Sequence, residues 1–221
     1  MKKPGVLITN SRPPMQHEIA KWQKRGFIAY YQPLLSIEHL PILPLPENTQ
    51  AIVLTSANAA EYLSNSNWDR NIPIYGVGIA TVTAAKLAGF KYCSAPNSAP
   101  YPSANKLIDW IKKNLQPDDG IIVHGSGEIL RYDVANTLKE YGFKTLRIVL
   151  YKTVKIISFT NDIAKALKHE QIQIAAISSQ QAIETFATYC KNENINAQKI
   201  SIIVPSLYLK RVAINYGFTI A

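Results

Sequence analysis

Cysteine is nearly absent from this chain. Only Cys93 and Cys190 occur, far apart and with no His or second Cys at metal-ligand spacing, so neither a disulfide framework nor a zinc site is indicated. Long apolar runs are also missing. The N-terminus MKKPGVLITNSRPP carries two lysines, but its apolar run is only four residues long before Thr9, Asn10, Ser11 and Arg12, too short for a signal peptide. No stretch approaches the roughly 20 apolar residues of a membrane span. A reducing, cytoplasmic setting away from membranes is the expectation. Acidic residues are scarce: Lys plus Arg exceed Asp plus Glu by 24 − 15 = 9. That surplus favours an anionic partner without choosing among nucleic acid, an acidic surface and a polycarboxylate. RNA is disfavoured, because the aromatics are dispersed through strand and helix stretches instead of forming a basic stripe.

Phosphate fingerprints are lacking too. HGSGEILR (124–131) does not end in Gly-Lys-Ser/Thr, and GVGIAT (76–81) has no third glycine and no following ribose-binding acid. No acid pair stands out, and no Ser-His-Asp or Cys-His arrangement surrounds His124, which argues against catalysis by that histidine.

What is present is an alternation. At 221 residues and 47% hydrophobic composition the chain can build one large or two small cores. Apolar runs at Val6–Thr9, Ala51–Leu54, Ile74–Val77, Ile121–Val123, Ile174–Ile177 and Ile200–Val204 alternate with amphipathic helical stretches, the pattern of a parallel α/β fold. Gly-Phe recurs at 26–27, 89–90, 142–143 and 217–218, each time after a helical stretch. There Gly suits a left-handed C′ position and Phe opens the next apolar segment.

The chain also repeats itself. AIVLTSANAAEYL (51–63) resembles IAAISSQQAIETF (174–186), with Thr55-Ser56 and Ser178-Ser179 in register. IPIYGVGIATVTAAKLAGF (72–90) resembles ISIIVPSLYLKRVAINYGF (200–218), and DDGIIVHGSGEILRYDVANTLKEYGF (118–143) resembles KKPGVLITNSRPPMQHEIAKWQKRGF (2–27). The third match runs backwards in chain order. Two similar α/β domains explain it if the central one, 38–148, is inserted into a discontinuous one made of 1–35 and 155–221. The crossings fall near 30–37 and 147–154, at the β-prone segments YYQPLLSI and RIVLYKTV, which could pair as a two-stranded connector. Pro41 to Pro46 suits an extended linker, and Asn97–Ser103 a loop before a helix at Ala104–Leu115, with Ser103 as its cap.

In open α/β sheets, ligands bind at the carboxyl ends of the strands. The unusual turns all belong there: Ser11-Arg12, Thr55-Ser56-Ala57-Asn58, Gly76-Val77-Gly78 with Thr81, His124-Gly125-Ser126-Gly127, Ser178-Ser179 and Ser206. Each hydroxyl taken alone reads as a helix cap. Jointly they would line two facing rims of a cleft, rich in hydroxyls and amides and poor in strong acids and bases, which suits holding carboxylates better than hydrolysing a bond.

In order and spacing these motifs resemble the uroporphyrinogen-III synthase family over nearly the whole chain. Ser11-Arg12-Pro13 with Gln16 and Gly26 is similar to its Thr-Arg-Pro opening, Thr55-Ser56-Ala57-Asn58-Ala59 to its Thr-Ser-x-x-Ala turn, and Val77-Gly78-Ile79-Ala80-Thr81 to its Val-Gly-x-x-Thr. Gly125 with Asp133 and Gly142, Tyr151-Lys152-Thr153 and Ser178-Ser179 continue the match. The chain departs from the pattern at Ser11, which replaces Thr, at Val204-Pro205-Ser206, and at Arg131, which sits two residues late.

The resemblance implies two flavodoxin-like parallel-sheet domains joined by a two-stranded β connector. It implies a lyase of heme and porphyrin biosynthesis that closes hydroxymethylbilane, a linear tetrapyrrole with eight carboxylates, inverting the last pyrrole ring and losing water without metal or organic cofactor. Ser11, Arg12, Thr55, Ser56, Asn58, Gly78, Thr81, His124, Gly125, Ser126, Arg131, Ser178, Ser179 and Ser206 would hold substrate. Tyr151, a neutral phenolic donor at pH 7, would help the hydroxyl depart. A monomer is expected. The alternatives are a non-catalytic pair of domains that binds a tetrapyrrole or another polycarboxylate, and a sugar or nucleotide binder of similar build.

Overall fold

In the computed structural model, which describes residues 3–96, 103–130 and 132–221, the first apolar run forms β1 (Gly5–Ile8). It is followed by α1 (Gln16–Lys24), β2 (Ile28–Tyr31) and β3 (Leu35–His39). Then come β4 (Thr49–Leu54), α2 (Ala57–Tyr62), β5 (Ile74–Gly76), α3 (Ile79–Leu87) and β6 (Cys93–Ser94). The central region closes with α4 (Ala104–Asn114), β7 (Ile121–Gly127), α5 (Val134–Glu140) and the long β8 (Lys144–Lys155). The remainder is α6 (Asn161–Lys168), β9 (Ile172–Ala176), α7 (Gln180–Asn192), β10 (Ser201–Ile203), α8 (Leu207–Asn215) and β11 (Thr219–Ile220).

The chain divides into two compact units, one running up to Ile37 and resuming at Val154–Ala221, the other Glu38–Thr153. The first contains a five-stranded sheet in the order β11-β10-β9-β1-β2, paired in parallel throughout. Leu7, Ala175 and Ile202 are fully buried in it, packed with Ile183 and Phe186 of α7. Strands covered on both faces read as unbroken apolar runs, which is why GVLI is all buried.

The second unit carries the sheet β3-β8-β7-β4-β5-β6. The period of two sends neighbours along β4 to opposite faces. Ile52 and Leu54 pack with Ala59 and Ala60 of α2 and with Ala84 and Ala85 of α3, whereas Val53 packs with Leu107 and Ile111 of α4 and Leu138 of α5. Burying each of the Val, Leu and Ile side chains among these contributes about 1.5–3 kcal/mol. The crossing strands are neighbours: Ile156 N–H bonds the Leu34 carbonyl at 2.9 Å, and Leu40 N–H bonds that of Leu150 at 2.9 Å.

The sequence repeats occupy equivalent places. Along one sheet the order is β2-β1-β9-β10-β11 and along the other β8-β7-β4-β5-β6, so each pair of look-alike segments stands at the same sheet position. β1 pairs with β2 and β9; β4 lies in the other sheet, between β7 and β5.

The Gly-Phe marks end helices as expected. Gly26, Gly89, Gly142 and Gly217 have φ of 86°, 95°, 88° and 84°. In each case the following Phe N–H reaches back to close the turn, to the carbonyls of Trp22, Ala85, Leu138 and Ala213 at 3.1–3.2 Å. α6 and α7 end with the same geometry at Glu170 and Asn194, both at φ 56° and neither signalled by glycine.

Two local expectations need correction. His124-Gly125-Ser126-Gly127 is no turn: it continues β7, paired through Gly125↔Ile148 and Ser126↔Val149. The glycines mark close packing there, since a Cβ on Gly125 would lie 2.9 Å from Leu54. In the double-hydroxyl turns only the second residue is the cap, as α2 and α7 start at Ser56 and Ser179, and Ser11 caps nothing because α1 begins after Met15.

Candidate functional site

The candidate residues of the second unit include a group at the ends of β4 and β7, beside Tyr151 within β8. Ser56, in extended conformation, accepts the Asn58 N–H at 3.2 Å and starts α2. The Tyr151 hydroxyl donates to the same Ser56 oxygen at 3.2 Å. With two bonds accepted, the Ser56 proton is left to point elsewhere. The ring of Tyr151 lies against Gly127, where a Cβ would come within 2.7 Å of its Cζ.

Thr55 reaches the opposite face. Its Oγ1 is 3.4 Å from Nε2 of His124. His124 is 1% exposed, and its Nδ1 has no hydrogen-bond partner. Burial lowers its pKa to about 4, with Asp133 opposing and Arg147 adding to the shift. The imidazole is therefore neutral at neutral pH. Ser126 is equally buried; its Oγ donates to the Gly127 carbonyl at 3.1 Å and accepts Arg147 Nε at 2.9 Å. The Nη2 of Arg147 also holds the carbonyls of Gly127 at 2.8 Å and Glu128 at 2.6 Å. Gly78 starts α3 without a side-chain cap, and Thr81 is buried in the first turn. Arg131 lies outside the described residues.

In the first unit Ser179 caps α7 through Ala182 N–H at 3.2 Å, and Ser206 caps α8 through Leu209 N–H at 3.3 Å. Ser178 is exposed beside the first cap. Arg12 pairs with Glu18 at 3.5 Å, while the Ser11 carbonyl accepts the Tyr31 hydroxyl at 3.4 Å. Glu18 also accepts the Met15 N–H at 2.7 Å, and this bond leads in holding its carboxyl below the usual range. α7 adds Glu184, 3.8 Å from Lys155, and Gln180, which accepts the Tyr208 hydroxyl.

The structure thus joins Ser56 to Tyr151 and Thr55 to His124, and it buries His124 and Ser126 where the sequence suggested accessible turn residues. Arg147 was given no role by sequence reasoning, and Gly127 entered only as the last residue of the expected His124-Gly125-Ser126-Gly127 turn. Arg147 carries no motif signal. Among the described residues no cluster of three or more His, Cys, Asp and Glu could hold a metal ion, and no helix is long and apolar enough to cross a membrane.

These hydroxyls, phenols and helix starts belong to a mixed α/β protein with parallel-paired strands. The sequence profile of the family described as uroporphyrinogen-III synthase HemD matches residues 17–221, and the chain belongs to that family. The fold is similar to that of uroporphyrinogen-III synthetase from Helicobacter pylori 26695, with a TM-score of 0.69 at 15% identity over 98% of this chain and 91% of that one. A mutant uroporphyrinogen III synthase from the extremely thermophilic bacterium Thermus thermophilus superposes with a TM-score of 0.54 at 14% identity, covering 98% and 90%. No curated protein sequence matches the chain. Its activity is that of the family, a cyclising lyase of porphyrin and heme biosynthesis.

Proposed function

We propose that this chain closes hydroxymethylbilane to uroporphyrinogen III with Tyr151 as the donor to the departing hydroxyl and the strand-end turns as carboxylate holders. The observation that carries the reading is the family match over residues 17–221, with Tyr151 at 3.2 Å from Ser56 at the strand ends of the second unit. The substrate is already reactive and closes unaided to the wrong isomer, so the protein's task is orientation more than acid-base power. The C–O bond of the hydroxymethyl group breaks, and the hydroxyl leaves as water on taking a proton supplied through the phenol. The resulting azafulvene cation is attacked by the substituted carbon of the last ring to give a spiro intermediate. Fragmentation and reclosure at the free carbon then release the proton that balances the first.

Thr55, Ser56, Asn58 and Gly78 are proposed to hold carboxylate arms, together with Ser11, Arg12, Arg131, Ser178, Ser179 and Ser206, while Thr81, buried in the first turn of α3, supports that turn from its inner side. His124, Gly125 and Ser126 support the turns from beneath, since burial of His124 and Ser126 keeps them from the solvent side. The uncapped first turn of α3 supports this for Gly78, because its backbone N–H groups have no side-chain acceptor. A surplus of nine positive charges would draw the polyanion in. Favouring one closure over the other a hundredfold requires about 2.7 kcal/mol of differential stabilisation, within reach of a few hydrogen bonds.

The finer architecture is proposed as two flavodoxin-like domains, 1–35 with 155–221 and 38–148, joined through β3 and β8. The sheet order β2-β1-β9-β10-β11 supports it, being 2-1-3-4-5 when that unit's strands are counted along the chain. The second unit has the same order, cyclically shifted. The monomeric state is likewise proposed.

The test is an isomer-resolved assay with freshly prepared hydroxymethylbilane, expected to yield the type III isomer in excess. A protein that binds bilane but returns only the spontaneous isomer would be a non-catalytic tetrapyrrole binder.

A further inference from the structure

Strand β8 breaks its own alternation at the residue that matters. Ile148 and Leu150 belong to the apolar layer under α2 and α3, and a regular strand would turn Tyr151 to the opposite face. Pairing with β7 instead jumps from Ser126↔Val149 to Gly127↔Tyr151, which passes over Leu150. Leu150 and Tyr151 consequently pack on the same layer. Such a bulge bends a strand locally and re-aims a side chain.

The redirected ring needs room and a fixed floor. Gly127 supplies the room: any Cβ there would meet the Tyr151 ring and hydroxyl at 2.7–2.9 Å. Arg147 fixes the floor, because its guanidinium ties Ser126, Gly127 and Glu128 together through bonds of 2.9, 2.8 and 2.6 Å. The planar fork allows one side chain to satisfy all three acceptors, a geometry that a lysine cannot reproduce. The ladder is closed on both sides, by Glu128 N–H to the Tyr151 carbonyl at 2.8 Å and by Leu40 N–H to the Leu150 carbonyl at 2.9 Å. An arginine near a proposed carboxylate site would ordinarily be read as a substrate clamp; here its Nε and Nη2 are directed at the backbone and side chain of its own strand neighbours.

We propose that Gly127, Arg147 and the bulge at Leu150 are a positioning device that sets the Tyr151 hydroxyl against Ser56, with none of them touching substrate. The inference rests on the assignment of Tyr151 as the donor. Its signature is non-additivity, since a positioning residue acts only through the group it positions.

The test is a cycle of wild type, Gly127→Ala, Tyr151→Phe and the double variant, with kcat and KM measured for type III formation. Gly127→Ala is expected to lower kcat about tenfold, with KM within about twofold, because the ring must move off the added methyl group. In the Tyr151→Phe background the same change is expected to alter kcat by less than about twofold. Equal losses in both backgrounds, or no loss in either, overturn the proposal. If Gly127→Ala fails to fold, as judged by near-UV circular dichroism, Arg147→Lys takes its place in the cycle with the same criteria. A Tyr151→Phe protein of full kcat would remove the donor itself and the proposal with it, a result recognisable without the double variant.

Discussion

The phenolic oxygen of Tyr151 lies 3.2 Å from Oγ of Ser56, a residue 95 positions earlier that also caps α2. One serine thus links the start of a helix to the proposed donor. Tyr151→Phe should lower the rate of type III formation severalfold or more while costing only about 1 kcal/mol of stability, the value of one hydrogen bond. Ser56→Ala should cost about 1 kcal/mol for the lost cap and slow the reaction as well. An isomer-resolved assay and denaturant unfolding check both; unchanged turnover in Tyr151→Phe takes Tyr151 out of the mechanism.

Thr55→Ala and Ser178→Ala should lower activity less than about tenfold, because backbone N–H groups of the same turns would still hold carboxylates. Steady-state kinetics decide this. Complete inactivation by either change would identify a reacting group where we place a holder.

His124 should make the protein acid-sensitive. Burial lowers its pKa to about 4 from an ordinary 6.5, so the unfolded chain binds the proton more readily between those values. The folded state therefore loses stability as pH falls from 6.5 towards 4, up to about 3 kcal/mol, and no contribution changes above 6.5. Unfolding measured across pH 4–7 should show this limb in the wild type and a flatter one in His124→Gln. Equal slopes would mean that the imidazole charges in place.

Helix ends offer a matched pair. Gly142 has φ of 88° and open space around its missing Cβ, so Gly142→Ala should cost about 1 kcal/mol from backbone strain alone. Asn194 occupies the same conformation at φ 56°, and Asn194→Gly should be neutral to stabilising by up to about 1 kcal/mol. Thermal or denaturant unfolding reads both, and a destabilised Asn194→Gly would point to a side-chain contribution at that turn.

Much was legible in the order of residues. The apolar runs became parallel strands with shifts of a residue or so, as at β1, which occupies Gly5–Ile8 instead of Val6–Thr9. The Gly-Phe pairs closed helices, because only a residue tolerant of positive φ lets the next N–H turn back. The double hydroxyls marked helix starts without revealing which oxygen would cap.

The sequence by itself determined the α/β class, the repeated strand-helix units and the family, since these depend on short-range periodicity and local backbone preference. Only the tertiary structure decided that His124 and Ser126 are buried in β7, that Ser56 meets Tyr151, and that Arg147 ties down the end of the strand. Those depend on which distant strands pair and in what register, and a slip of one residue, such as the bulge at Leu150, turns a side chain to another face while leaving no mark in the local pattern.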